Sequence, residues 1–258
     1  MKNVLLLLIA SVVVSPLAIS PLVQAQELTV AAAADVRPSL DEIAVKFKAA
    51  SGITLHVSYG SSGNFYQQLQ NGAPFDVFLS ANLDYPKKLE TAGLVLENSY
   101  YEFAQGGIVV MVAANSKLDL KQGLRALLDP TVKKIAIADP SHAPYGQAAV
   151  AALKAEGLYD QVSSKLVTGE NISQAASFVL SGAADAGIVA KSLAIVPQAT
   201  SKVRFAEVPE QDYPPLLQAM VVLKSSKSQR DAEKFESYMR AAEAQKILKQ
   251  YGFSIPLK

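Results

Sequence analysis

The chain predicts an α/β protein built as two sheet-and-helix blocks with a ligand cleft between them. Three observations carry this. Short apolar runs alternate with helical patterns, which implies mixed, mostly parallel sheets covered by helices on both sides. The alternation breaks and restarts near residue 105. The last helical stretches read as further cover for the first block, so the chain crosses back near residue 216. The expected domains are therefore 26–104 plus 216–258 and, between them, 105–215.

The opening residues are set apart from the fold. Lys2 gives a positive start, "VLLLLIASVVV" an apolar core, and "VQA" a small-residue end. Residues 1–25 are expected to be a secretory signal peptide cut before Gln26. Pro16 and Pro21 interrupt the apolar stretch, which is too short to span a bilayer as an anchor.

Each element follows from its local pattern. "LTVAAAA" is a buried strand, and "VRPSLDEIAVKFKAAS" a helix with Leu40, Ile43, Ala44 and Phe47 on one face and Gly52 past its end. "TLHVSY" is a strand, "GSSGN" a loop, and a helix runs from there to about Gln70. After the turn "NGAP" come the strand "FDVFLSA" and the helix "YPKKLETAG". In the second block "GGIVVMVAA" is a strand, "KQGLRALLD" a helix ended by Pro130, and "KKIAIADP" a strand leading into the helix "APYGQAAVAALKAEG". "ENISQAASFVLSG" is a helix, and "DAGIVA", "KVRFAEV" and "LLQAMVVL" are strands. "DAEKFESYMRAAEAQKILKQYG" closes the chain as one or two helices.

Composition narrows the function classes. The net charge of +1 falls to neutrality once Lys2 is removed, which argues against electrostatic capture of nucleic acid or anionic membranes. The absence of cysteine excludes thiol catalysis and thiolate metal sites. The two histidines, His56 and His142, sit in separate segments without the spacing of a zinc site. "GSSGN" is not a nucleophile elbow, because Asn64 stands where glycine is needed. Asp41 and Glu42 are neighbours on a solvated helix face and make a poor acid–base pair. The reading is a binding protein, not an enzyme. Its rivals are the same scaffold holding another oxyanion or a small organic acid, and a secreted hydrolase using Ser62.

Four strand-to-helix junctions carry the small polar residues that such a reading needs. They are Asp35 in "AAAADVRP", Ser61 and Ser62 in "YGSSGN", Tyr145 in "DPSHAPYG", and Asn171 with Ile172 in "TGENISQA". Taken singly, each is explained by helix capping. Converging on one cleft, they would form a cage of amide and hydroxyl donors suited to an oxyanion, with helix N-termini adding positive potential.

At these residues the chain resembles the periplasmic molybdate-binding proteins of bacterial ABC importers. "SSGNFYQQLQNGAPFDVFLSAN", "DPSHAPYGQAA" and "GENISQAASFVLSGAADAGIVA" carry the likeness, which extends over essentially the whole chain after the leader. The resemblance implies a two-domain periplasmic binding protein of type II that closes on molybdate or tungstate in its interdomain cleft. It implies a membrane permease as partner, no cofactor, no chemistry, and a monomer by default. One pocket type of that family has serine at the first junction and a tyrosine late in the chain. Asp35 and Ala190 stand there instead. A second type takes its tyrosine from the "APYG" stretch, and this chain is similar to it. On that match Ser62 donates a hydroxyl, Tyr145 a phenol or amide and Ile172 a backbone N–H, while Ser61 supports the loop. No residue ligates the metal atom directly.

Asp35 is the departure, standing where that type has asparagine. At about 4 Å and an effective dielectric near 20, each unit-charge pair costs roughly 4 kcal/mol. Three resolutions are open. The side chain points away, capping its helix or pairing with Arg37; or it is protonated in the complex; or the ligand is not molybdate. The strong preference of aspartate for N-caps favours the first.

Overall fold

The computed structural model describes residues 26–256; the expected leader lies outside them. The chain opens with β1 (Glu27–Ala33), a 3-10 turn over Ala34–Val36, α1 (Arg37–Ser51), β2 (Thr54–Gly60), α2 (Ser62–Gln70), β3 (Val77–Ser80), α3 (Asp84–Thr91) and β4 (Tyr101–Gly106). It continues through β5 (Ile108–Ala113), β6 (Ile135–Ala138), α4 (Pro144–Ala155), α5 (Tyr159–Val162), β7 (Leu166–Gly169) and α6 (Ile172–Leu180). Then come β8 (Ala186–Ala190), α7 (Lys191–Ala194), α8 (Pro197–Thr200) and β9 (Val203–Glu207). It ends with β10 (Leu216–Val222), α9 (Gln229–Arg240) and α10 (Ala242–Gln250).

These strands form two five-stranded sheets, ordered β2-β1-β3-β10-β4 and β7-β6-β8-β5-β9. One strand in each runs against the other four: β10 in the first and β5 in the second. The cause is the way the chain crosses. β4 runs toward the cleft and, after the single residue Gly107, enters the second sheet as β5. A strand that enters a sheet from the cleft side must run away from it. The return through β10 obeys the same constraint. Every other strand ends at the cleft, where the helices begin.

The first sheet is buried on both faces, as period-two alternation requires. Leu28, Val30 and Ala32 pack with Ile43 and Phe47 of α1 and with Phe235, Met239 and Ile247 of the two last helices. Ala31 faces the other way, against Phe65, Leu69, Phe78 and Leu89. The final segment is thus cover for the first sheet. It is two helices, because Ala241 between them is extended.

Several elements differ from the sequence reading, which assigns none to α5, β7, α7 or α8. "KQGLRALLD" is not an α-helix but 3-10 turns over Leu120–Leu128, broken where Gly123 takes φ 58° and ψ −133°. "YEFAQG" forms β4, an edge strand whose polar Glu102 and Gln105 disguise it. The "GSSGN" loop is shorter than expected, since Ser61 caps α2 and Ser62 is its first residue.

Phe47 is buried, with its ring 5.2 Å from that of Phe235 and 5.4 Å from that of Tyr238. Phe47→Ala is expected to cost about 3–5 kcal/mol of unfolding free energy. Urea denaturation checks this, as a lowered midpoint at unchanged slope. A loss under about 1 kcal/mol would mean that α1 and α9 do not share one core.

Candidate functional site

The ends of β1, β2, β3, β6 and β7 deliver their following residues to one point. Ala34, Asp35, Ser61, Ser62, Tyr145 and Ile172 line a cavity there of about 10 Å³, and all six are buried. That is about the space of one water-sized sphere. The structure therefore brings together all five residues singled out in the sequence: Asp35, Ser61 and Ser62 from the first domain, Tyr145 and Ile172 from the second. Small residues permit the approach. Ala33, Ala34 and Ala81 of the first domain pack into the apolar cluster of the second. A Cβ on Gly106 would sit 2.0 Å from the Tyr145 hydroxyl, so only glycine lets that ring reach across.

Each helix start has its own capping logic. Ser61 Oγ accepts the Asn64 N–H (3.3 Å) and lies 2.7 Å from His142 Nδ1. Ser62 Oγ accepts the Ala81 N–H (2.9 Å), which fixes the oxygen and leaves its own proton to donate. Asn171 Oδ1 caps α6 through the Gln174 N–H (3.1 Å), so Ile172 is the first helical residue. The first N–H groups of α2, α4 and α6 have no partner within their helices.

Asp35 contradicts the expectation that its side chain caps a helix or pairs with Arg37. No side chain caps the 3-10 turn or α1, and the Arg37 guanidinium lies over the Tyr59 ring, 4.5 Å from its centre. Instead Asp35 Oδ2 accepts from the Tyr145 hydroxyl (2.9 Å) and from Gln218 Nε2 (2.6 Å). Tyr145 and Gln218 also meet each other, at 3.2 Å. Capping loses because these two buried donors reach the carboxyl from α4 and β10. Burial pushes the Asp35 carboxyl up to about 6, against the pull of the Gln218 and Tyr145 hydrogen bonds. The N–H groups of Asp35 and Val36 favour the ionised form as well, from beyond hydrogen-bond geometry. Asp35 Oδ1 is buried and has no hydrogen-bond partner. Burial and the adjacent carboxylate hold the Tyr145 phenol well above its usual range, so it stays a donor.

Five more residues join the two domains here and were not singled out as site residues: Ser192, Ser173, His142, Gly63 and Gln218. Ser192 Oγ donates to the Asp35 carbonyl (2.8 Å) and Ser173 Oγ to the Ala34 carbonyl (3.1 Å). The His142 carbonyl accepts the Gly63 N–H (2.9 Å). Gln218 had a visible signal, as the one polar residue in "LLQAMVVL". The two serines had none, being ordinary helix-start residues in sequence.

The arrangement does not favour hydrolysis at Ser62. The nearby histidine faces Ser61, and its Nε2 lies 3.7 Å from Asp139 Oδ2. Ser62 Oγ accepts from the Ala81 amide, and among the described residues no base is hydrogen-bonded to it. Among the described residues no group of three His, Cys, Asp or Glu side chains could hold a metal ion.

Two lobes joined by crossing strands, with a buried cavity between them, are the architecture of a hinged ligand-binding protein. The chain belongs to the bacterial extracellular solute-binding protein family, whose model matches residues 28–254. It is 36% identical over 229 residues to the molybdate-binding protein ModA of Rhodobacter capsulatus, covering 89% of this chain and 88% of that one. It is 37% identical over 232 residues to ModA of Azotobacter vinelandii, covering 90% and 91%. The solved Azotobacter vinelandii periplasmic molybdate-binding protein matches with a TM-score of 0.83 at 35% identity, over 89% of this chain and 100% of that chain. The sulfate-binding protein SubI of Mycobacterium tuberculosis shares the fold, with a TM-score of 0.72 at 18% identity over 89% and 87%.

A Cβ on Gly63 would lie 2.5 Å from the His142 carbonyl across the cleft. Gly63→Ala is therefore expected to hold the domains apart, enlarging the radius of gyration in small-angle scattering while each domain stays folded by circular dichroism. An unchanged radius would show that this contact does not limit closure.

Proposed function

We propose that the chain captures a tetrahedral oxyanion, molybdate or tungstate, in this cleft and delivers it unchanged to the membrane permease of an ABC importer. One observation carries the reading: helix starts from both domains line a single buried cavity that no lysine or arginine enters. Such a cavity offers neutral donors and helix-terminal potential to an anion, with Asp35 as the one acidic group among its lining residues. The names of the similar proteins support the same ligand.

The donors follow from the hydrogen bonds already in place. Ser62 supplies its hydroxyl proton, and Ile172 its backbone N–H. The Tyr145 phenol is occupied by Asp35, which leaves the Tyr145 backbone N–H for the anion. Ser61 supports its loop through α2 and His142. A tetrahedral ion needs more room than the cavity gives, so the two domains part slightly around it. The crossings at Gly107 and at residues 208–215 are where such a hinge would lie. The protein would act as a monomer in the periplasm, exported through residues 1–25, without a cofactor and without catalysis.

Calorimetry on the chain from Gln26 onward tests this. Molybdate and tungstate are expected to bind one to one, with sulfate and phosphate much weaker. Ser62→Ala should weaken molybdate roughly tenfold or more, the effect of losing one hydrogen bond to a charged group. No binding of molybdate or tungstate at any pH between 5 and 9 would refute the assignment.

A further inference from the structure

A carboxyl group is the side chain that an anion site tolerates least, yet Asp35 lies fully buried in the wall of this cavity. Its two oxygens are not equivalent. Oδ2 already accepts two hydrogen bonds, from Tyr145 and Gln218. A proton on Oδ2 would face two donor hydrogens. Oδ1 is equally buried and has no partner, which for a polar atom is an unmet demand. Oδ1 is therefore the atom through which Asp35 meets whatever fills the cavity.

We propose that the site takes up one proton with each oxyanion and holds it between Asp35 Oδ1 and a ligand oxygen. This rests on the oxyanion reading above. The proton comes from solvent, no covalent bond in the anion changes, and the neutral acid becomes a further donor of the cage beside Ser62, Tyr145 and Ile172. With the ligand away, burial lifts the carboxyl to about 6 against the pull of its hydrogen bonds, so at neutral pH it is mostly ionised. An adjacent dianion lifts it further, because two like charges at contact cannot both persist in a dry site.

The surroundings leave this carboxyl as the group that responds. From α4 it is faced by Tyr145, with Tyr213 acting on that phenol from behind, and both phenols are raised. From β10 it is faced by the neutral Gln218. Ser192 and Ser173 meet the backbone carbonyls of Asp35 and Ala34 and carry no charge. Arg37 is turned over Tyr59, and His142 is engaged by Ser61 and Asp139. Among the described residues that line the cavity there is no lysine or arginine. A shared proton also sets specificity. It bonds best to a basic oxyanion, and sulfate, a feeble base, gains least from it.

Calorimetry of molybdate binding at pH 7.5, in buffers of different ionisation enthalpy, reads the proton directly. Close to one proton taken up per molybdate is expected. Affinity should fall nearly tenfold per pH unit between pH 7 and 9, where molybdate stays a dianion. Asp35→Asn keeps the shape of the side chain but has no site for the proton, so its uptake should drop to near zero and its affinity should be flat with pH. Wild-type binding with no proton uptake overturns the proposal while leaving the oxyanion function intact. A full slope in Asp35→Asn overturns it too, by placing the proton elsewhere. A wild-type protein that binds neither molybdate nor tungstate overturns the functional reading itself.

Discussion

The structure depends on one buried contact, the hydrogen bond from the Tyr145 hydroxyl to Asp35 Oδ2. Tyr145 belongs to the second domain and Asp35 to the first. Gln218, on the strand that returns between them, bonds to both. Three separate parts of the chain are thus fixed at one point. The site needs this junction because two of its donors, the N–H groups of Tyr145 and Ile172, are backbone groups. A backbone N–H cannot be aimed by a rotamer change; it is aimed only by placing the whole helix. The junction sets where α4 and the turn before α1 sit, and the small residues Ala33, Ala34, Ala81 and Gly106 let them approach.

The contacts between the domains suit a reversible machine. Most are single hydrogen bonds from short side chains: Ser61 to His142, Ser173 to Ala34, Ser192 to Asp35. Each contributes little net free energy, because water replaces it when the cleft opens. The apolar clusters are anchored mainly within their own sheets, so parting the lobes exposes little core. A ligand that bonds to both lobes at once can then decide the equilibrium.

Much of the fold was legible because its signals are local. Apolar runs mark the strands, and Gly52 and Gly157 mark helix ends. The two blocks and the shared cover of the last helices follow from order alone. β4 was hidden because an edge strand with Glu102 and Gln105 lacks the apolar run of a central one. The helix read at 121–129 failed because Gly123 breaks it. The site residues were legible as helix starts, but their geometry was not. Aspartate before a helix reads as a cap in any sequence. What turns Asp35 inward is a tyrosine 110 residues later and a glutamine 183 residues later, and no local pattern encodes those distances.

One anion is expected at the meeting point of these helix starts, beside the unpartnered oxygen of Asp35. Anomalous diffraction from crystals grown with tungstate locates the heavy atom directly. A single strong peak is expected in the cleft, with ligand oxygens within hydrogen-bond reach of Ser62 Oγ, the N–H groups of Tyr145 and Ile172, and Asp35 Oδ1. A peak bound elsewhere on the surface, with the cleft lacking one, would contradict it.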